Sequence, residues 1–263
     1  MHIYFQISKN CRLPSIWIDA AMHANEWISS SALLYVTEKL LHEDGHSFLD
    51  KYQFFIVPLV NPDGYSYSLF RDASWRKNAR RIFNSPCDGV DLNRNFPFHW
   101  KAVSHSELQP CSDLYQGRNP SSEYETRAII NGLKLIEKSL VLYLNLHSSG
   151  QMILLPYSFA KHVHSTNYLN ELSLANHVKN ELNRRHKAMF KVGSAAELLY
   201  LASGSAIDYV KGTMNVPYAY AIELGRVTEN LRNPDLKIVL ENSEELWTLV
   251  NAFALNVLQL INN

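Results

Sequence analysis

In the stretch SIWIDAAMHANEWISSSALLYV, residues 15–36, His23 and Glu26 stand three positions apart, between a short apolar run and a helical pattern. An imidazole and a carboxylate so spaced can ligate one metal ion. They can equally be two polar residues that open a helix, and H-x-x-E is short enough to recur by chance. The neighbouring apolar runs sharpen the question. SIWIDAA (15–21) leads into His23, QFFIVPLV (53–60) into NPDG at 61–64, LVLYLNL (140–146) into His147, and YAYAI (218–222) into Glu223. If these runs are strands of one open α/β sheet, their carboxyl ends border a common crevice, where such sheets bind ligands. Two histidines and two glutamates would meet there. A catalytic zinc takes three protein ligands of these types and keeps one position open, and a further carboxylate can serve as general base. Each residue alone has a plainer reading: His147 as a hydrogen-bonded core histidine, and Glu223 as the salt-bridge partner of Arg226.

The elements that must position these groups follow from hydrophobic period. A fifth strand-like run is MILL at 152–155. Helical spacing over 28–42 places Leu33, Leu34, Val36, Leu40 and Leu41 together. A second helix is expected to start near Ser122, where Ser122 and Glu125 form a capping box. A third spans 168–186, and the last 243–261, with Leu246, Val250, Phe253, Val257 and Ile261 in helical register. Buried strands alternating with helices predict an α/β sheet covered on both faces. Residues 61–121 lack a sustained period and read as an extended loop region, which is more often functional than idle.

Composition sets the outer limits. The 263 residues, 46% hydrophobic and 11% aromatic, suit one large globular domain with no repeat or linker. Lys+Arg and Asp+Glu both number 25, so the net charge of zero points to neither nucleic acid nor an anionic membrane as partner. No apolar run approaches a membrane span, and the opening MHIYFQISKNCRLPS lacks the form of a signal peptide. Three cysteines, Cys11, Cys87 and Cys111, are too few for a disulfide scaffold; one pair can bridge.

HANEW at 23–27, NPDGY at 61–65, WRK at 75–77, DLNRNF at 91–96, LHS at 146–148, ASGSAIDY at 202–209 and IELGR at 222–226 occur in this order. The series resembles the zinc metallocarboxypeptidases, most closely their carboxypeptidase A/B branch, from about residue 14 to the C-terminus. The resemblance implies a mixed, twisted central sheet with helices on both faces. It also implies one zinc ion held by His23, Glu26 and His147, with Glu223 as general base toward the water at the metal. Arg76 would steady the oxyanion, a fixed charge aimed where negative charge develops. Asn93 and Arg94 would grip the substrate's terminal carboxylate, a task that suits the planar guanidinium fork. Tyr200 would close over the substrate. The implied activity is hydrolysis of the C-terminal peptide bond of peptides and proteins by a secreted, extracellular monomer.

The resemblance carries finer expectations as well. Cys87 and Cys111 match a disulfide, leaving Cys11 free, and Ser148–Ser149 matches a non-proline cis peptide. Ile207 matches the base of the pocket for the terminal side chain, with Leu154, Leu199, Ala202 and Ala221 on its walls. This lining favours apolar or aromatic termini, because a charged one would lose hydration without compensation. Ser205 stands where glycine is usual and narrows the pocket, favouring Leu, Met or Phe over Trp. Asn25 and Ala73 replace two arginines on the entry path, and Ser149 replaces a tyrosine. The chain would form one catalytic domain, residues 1–263, lacking a propeptide and the first edge strands. These departures favour one alternative, a catalytically weak or inactive relative that binds peptides.

Overall fold

The computed structural model describes residues 4–225 and 235–261. Seven strands form one sheet: β1 (Phe5–Ile7), β2 (Ser15–Ala20), β3 (Gln53–Val57), β4 (Leu140–Ser148), β5 (Met152–Leu155), β6 (Lys191–Ser194) and β7 (Tyr218–Leu224). Their spatial order is β1-β3-β2-β4-β7-β5-β6. The central strands β3, β2, β4 and β7 run parallel. At the margins β1 lies antiparallel to β3 and β5 antiparallel to β7, so the sheet is mixed. Among the described residues eight helices accompany it: α1 (Trp27–Leu41), α2 (Glu43–Leu49), α3 (Pro62–Phe70), α4 (Tyr124–Leu135), α5 (Tyr168–His186), α6 (Ala195–Leu198), α7 (Ala206–Gly212) and α8 (Leu236–Ile261).

Strand periodicity of two sorts the central residues onto opposite faces. Ile16, Ile18, Leu142, Leu144, Leu146, Tyr220 and Ile222 pack with α1, α2, α5 and α8 in one core. Trp17, Tyr143, Ala219 and Ala221 belong to the other, with α4, α7 and Leu92 and Phe96 from the long connection. The expected two-sided cover is therefore present. On the second face β7 contributes Ala219, Ala221 and Glu223, and the two alanines leave space between the sheet and α7.

Four sequence expectations need correction. The segment 61–121 is not all loop: Asn61 caps α3, its side chain accepting from the Gly64 N–H at 3.0 Å, with Pro62 in the first turn. Two short 3-10 turns, Leu92–Arg94 and His105–Leu108, follow. The helix expected from Ser122 starts at Tyr124, and its N-cap is Glu123 without a side-chain cap. Ser122 Oγ instead binds Glu123 Oε1 at 2.6 Å and accepts from Asn95 Nδ2 at 3.0 Å, so tertiary partners displace the capping box. The last helix begins at Leu236 rather than 243. The strands β1 and β6 were missed, being only three and four residues long and partly exposed. The β1 strand is the sheet's only cover beyond β3 among the described residues.

The long connection is closed by a Cys87–Cys111 disulfide with S–S 2.06 Å, and Cys11 is free and exposed. Because the bridge spans 24 positions, it restricts the unfolded chain appreciably. Replacing both Cys87 and Cys111 by Ala should lower the unfolding free energy by about 3 kcal/mol. Denaturant titration of the double variant against the parent under oxidising conditions measures this.

Candidate metal centre and active site

The backbone turns sharply after β2. Ala21 takes φ +53°, the Ala24 N–H reaches the Arg76 carbonyl at 2.8 Å, and Glu26 becomes the N-cap of α1. Ser29 locks this turn: its Oγ donates to the Glu26 carbonyl at 2.6 Å and accepts from the Ala21 N–H at 3.1 Å. His23 and Glu26 are thereby fixed at the carboxyl end of the sheet, both buried. His147 lies near the end of β4, directly beside Glu223 of β7. His23 Nδ1 is 2.7 Å from Glu26 Oε1, His147 Nδ1 is 2.9 Å from Glu26 Oε2, and the two Nδ1 atoms are 3.1 Å apart.

The other ring nitrogens are already engaged. His23 Nε2 lies 3.2 Å from Asp91 Oδ1, and His147 Nε2 lies 2.5 Å from Asn145 Oδ1. Protons on both Nε2 atoms satisfy those acceptors and leave both Nδ1 atoms with lone pairs facing the Glu26 carboxylate. Three electron-pair donors within 4.8 Å of one another, all buried, repel unless a cation joins them. The set of two imidazoles and a carboxylate fits zinc and leaves a fourth position open.

The supporting groups are themselves held. Asp91 Oδ2 receives Arg76 Nε at 3.1 Å and Nη2 at 3.0 Å. Burial alone would raise the Asp91 pKa, but Arg76, His23 and Arg94 hold it well below the usual carboxylate range. Asn145 Nδ2 donates to Asp19 Oδ1 at 2.5 Å, and Trp17 Nε1 donates to Asp19 Oδ2 at 2.8 Å. The chain Trp17–Asp19–Asn145–His147 thus fixes the His147 ring from within the sheet. Glu223 borders the same cavity, and burial raises its pKa above that of an ordinary glutamate.

Beyond the three donors a pocket opens, bordered by Arg76, Asn93, Arg94 and Tyr200. Arg94 is buried; its Nη1 donates to the Asn93 carbonyl at 2.8 Å and its Nη2 to Tyr200 Oη at 3.3 Å. Asn93 Oδ1 accepts from the Ala206 N–H at 2.9 Å, tying the turn at 92–94 to the start of α7. Gly204 makes this approach possible: at φ +59°, a Cβ there would stand 2.4 Å from the Arg94 carbonyl oxygen. Glu107 anchors the same loop through Ser203, accepting from its N–H at 3.1 Å and its hydroxyl at 3.0 Å.

Leu154, Ala195, Leu199, Ala202, Ile207 and Ala221 line the pocket's apolar wall. Ser158 and Ser205 interrupt it. Ser158 Oγ donates to Asp208 Oδ2 at 2.7 Å, and the two serine hydroxyls are 2.8 Å apart. Asp208 also accepts the Ser158 N–H at 2.9 Å and the Phe159 N–H at 3.2 Å. Burial pushes its carboxyl up to about 6, against the pull of these bonds.

Three comparisons define the class. The family model described as zinc carboxypeptidase matches residues 4–248. The carboxypeptidase B of Astacus astacus is 34% identical over 214 residues, covering 80% of this chain and 70% of that protein. The carboxypeptidase O of Bos taurus is 33% identical over 229 residues, covering 84% of this chain but 60% of that protein. Among solved structures, bovine thrombin-activatable fibrinolysis inhibitor in complex with tick carboxypeptidase inhibitor superposes with a TM-score of 0.89 at 30% identity, covering 97% and 85% of the two chains. The carboxypeptidase A of Helicoverpa armigera gives 0.83 at 28% identity, covering 95% of this chain and 64% of that one. The chain belongs to the zinc carboxypeptidase family, in its A/B branch. It spans 60% of the length of the bovine carboxypeptidase O.

All the residues expected at a site lie around one crevice: His23, Glu26, His147 and Glu223 at its centre, with Arg76, Asn93, Arg94, Tyr200 and Ile207 around the adjoining pocket. The expected cis bond at Ser148–Ser149 is present, with a second at Pro156–Tyr157. The plainer partner considered for Glu223, Arg226, lies outside the described residues. Asn25 turns aside, its Nδ2 donating to the Ser74 carbonyl at 3.2 Å. Sequence reasoning missed the positioning roles of Asp91, Asn145, Asp19 and Glu107, and the hydroxyl of Ser158 in the pocket. The only available signal was that Asp91 opens DLNRN and that Asp19 and Asn145 are polar residues inside apolar strands.

Asp208 provides a test of this pocket by pH. Its folded carboxyl binds a proton more tightly than an unfolded one, whose pKa is near 3.8, so its contribution is present at low pH and lost as pH rises through about 6. Between pH 4 and pH 7 the parent should lose about 2 kcal/mol of stability relative to Asp208→Asn. Paired denaturant titrations across that range read the difference directly.

Proposed function

We propose that this chain is a zinc-dependent exopeptidase that hydrolyses the C-terminal peptide bond of peptides and proteins and prefers apolar or aromatic terminal residues. The observation that carries this reading is the convergence of three lone-pair donors beside Glu223, with a guanidinium and a blind apolar pocket next to them. His23, Glu26 and His147 would hold the zinc, which supplies Lewis acidity when bound. Glu223, next to His147 on the neighbouring strand, is positioned to take a proton from the attacking water and to return it to the leaving amine.

Arg76 borders the cavity with its Nη1 4.0 Å from Glu26 Oε1, and its clamp on Asp91 keeps the charge directed at developing oxyanion character. Arg94 and Asn93 supply donors for a terminal carboxylate. In this reading that carboxylate replaces Tyr200 as the partner of Arg94 Nη2, freeing a half-exposed tyrosine to cover the substrate. Recognition of a free carboxylate is what limits cleavage to chain ends. Ile207 and the small side chains around it favour apolar termini. No helix among the described residues is long and apolar enough to cross a membrane. A single secreted, monomeric catalytic domain acting on peptide C-termini without nucleic acid or membrane partners completes the proposal.

Two experiments test it. Turnover of a blocked peptide ending in Phe or Leu should be abolished by chelation and restored by zinc. Glu223→Gln should lower kcat by about 10²–10⁴ while still binding one zinc per chain. Retained turnover in that variant removes Glu223 as the general base, and no turnover in the zinc-loaded parent excludes the enzymatic reading and favours a peptide-binding relative. For specificity, Ile207→Asp should shift kcat/KM from Phe and Leu towards Lys termini. A parent enzyme that already prefers Lys, or a variant with no such shift, removes Ile207 as the pocket's determinant.

A further inference from the structure

The pocket beside the proposed zinc site is graded from mouth to base. Tyr200 is 48% exposed and Leu199 39%, whereas Ser158, Ser205 and Ile207 are each within 4% of full burial. The two serine hydroxyls therefore lie deep in a cavity that is otherwise lined by Leu154 and alanines. Their protons can be assigned by counting. Ser158 Oγ faces two acceptors, Asp208 Oδ2 at 2.7 Å and the Ala202 carbonyl at 3.1 Å, and the shorter contact to the carboxylate takes its proton. The Ser205 proton then points to the Ser158 oxygen, 2.8 Å away. Ser205 Oγ accepts one long bond, 3.4 Å, from the Asp208 N–H that it caps. With every hydroxyl proton turned inwards toward a buried carboxylate, the remaining valence at the pocket's base is a lone pair on Ser205.

We propose that Ser205, backed by Ser158 and Asp208, is a specificity-determining acceptor that reads a hydrogen-bond donor at the tip of an aromatic terminal side chain, so that tyrosine is the preferred C-terminal residue. The inference rests on the carboxypeptidase reading and narrows its apolar preference. Flat walls of alanine and leucine suit an aromatic ring. A phenol carried to the base finds an acceptor, whereas in a wholly apolar pocket it would lose its hydration unpaired. A para substituent that only accepts would meet the Ser205 lone pair with its own.

The test compares peptides identical except for a terminal Phe, Tyr, 4-amino-phenylalanine or 4-methoxy-phenylalanine, assayed with the zinc-loaded protein at pH 8. The expected order is Tyr and 4-amino above Phe by roughly five-fold in kcat/KM, the effect of one net hydrogen bond, with 4-methoxy below Phe. In Ser205→Ala the Tyr-to-Phe ratio, internal to that variant, should fall to about one or below. A parent ratio of one or less, or a ratio that survives Ser205→Ala, overturns the proposal. If Ser205→Ala fails to fold, the order of the four substrates on the parent protein decides alone. If the chain binds these peptides without cleaving them, the same ratios are read as dissociation constants by calorimetry. Failure of hydrolysis is thus distinguished from failure of the Ser205 readout.

Discussion

Lone pairs do not face one another across 3 Å in a buried site without something positive between them or protons to share. At the end of this sheet the two Nδ1 atoms and the Glu26 carboxylate do so, because Asp91 and Asn145 claim the protons of the opposite ring nitrogens. That electrostatic demand organises its surroundings. Asp91 is buried and can remain charged because Arg76 and Arg94 face it; Arg76 in turn is aimed along the cavity by the same contact. Each buried charge near the centre is explained by a neighbour, and the neighbours are the residues for which functional roles are proposed.

The frame that delivers these groups is parallel pairing. β4 lies between β2 and β7, and the register sets His147 opposite Glu223 and Asp19 opposite Asn145. A one-residue slip of β7 would move Glu223 to the other face, so the register is as important as the residue itself. The same alternation that buries Leu142, Leu144 and Leu146 against α1 and α8 sends Asn145 and His147 to the opposite side. Core packing on one face therefore enforces the orientation of the polar groups on the other.

The pocket depends on absence of bulk. Ala219 and Ala221 on β7, Ala206 at the start of α7, and Gly204 against the Arg94 carbonyl let a loop approach the sheet closely while leaving room beside it. Glu107 and Asn93 hold that loop by accepting the N–H groups of Ser203 and Ala206. The result is a rigid lip from which Tyr200 projects, stacked over Arg94 with its ring centroid 5.7 Å from the guanidinium carbon.

The sequence by itself determined the class of fold, five of the seven described strands and the principal helices, and its polar strand ends pointed to a candidate site that the family resemblance then assigned. Those features are written in local period and in ordered motifs, both of which survive without knowledge of contacts. It also carried, through its resemblance to a family, the Cys87–Cys111 pairing and the positions around the pocket. Tertiary structure alone decided what depends on partners distant in the chain. It replaced the Ser122 capping box with a bond to Asn95, extended α8 to Leu236, and paired the short β1 and β6 with stronger neighbours. It also turned Asp19, Asn145, Asp91 and Glu107 from polar letters in apolar or irregular stretches into supports for a charged centre. Ser158 and Ser205, 47 positions apart, became one hydroxyl pair only when α7 docked on the sheet. A buried polar group acquires its meaning from the partner that compensates its lost hydration, and in this protein that partner is usually supplied by another element.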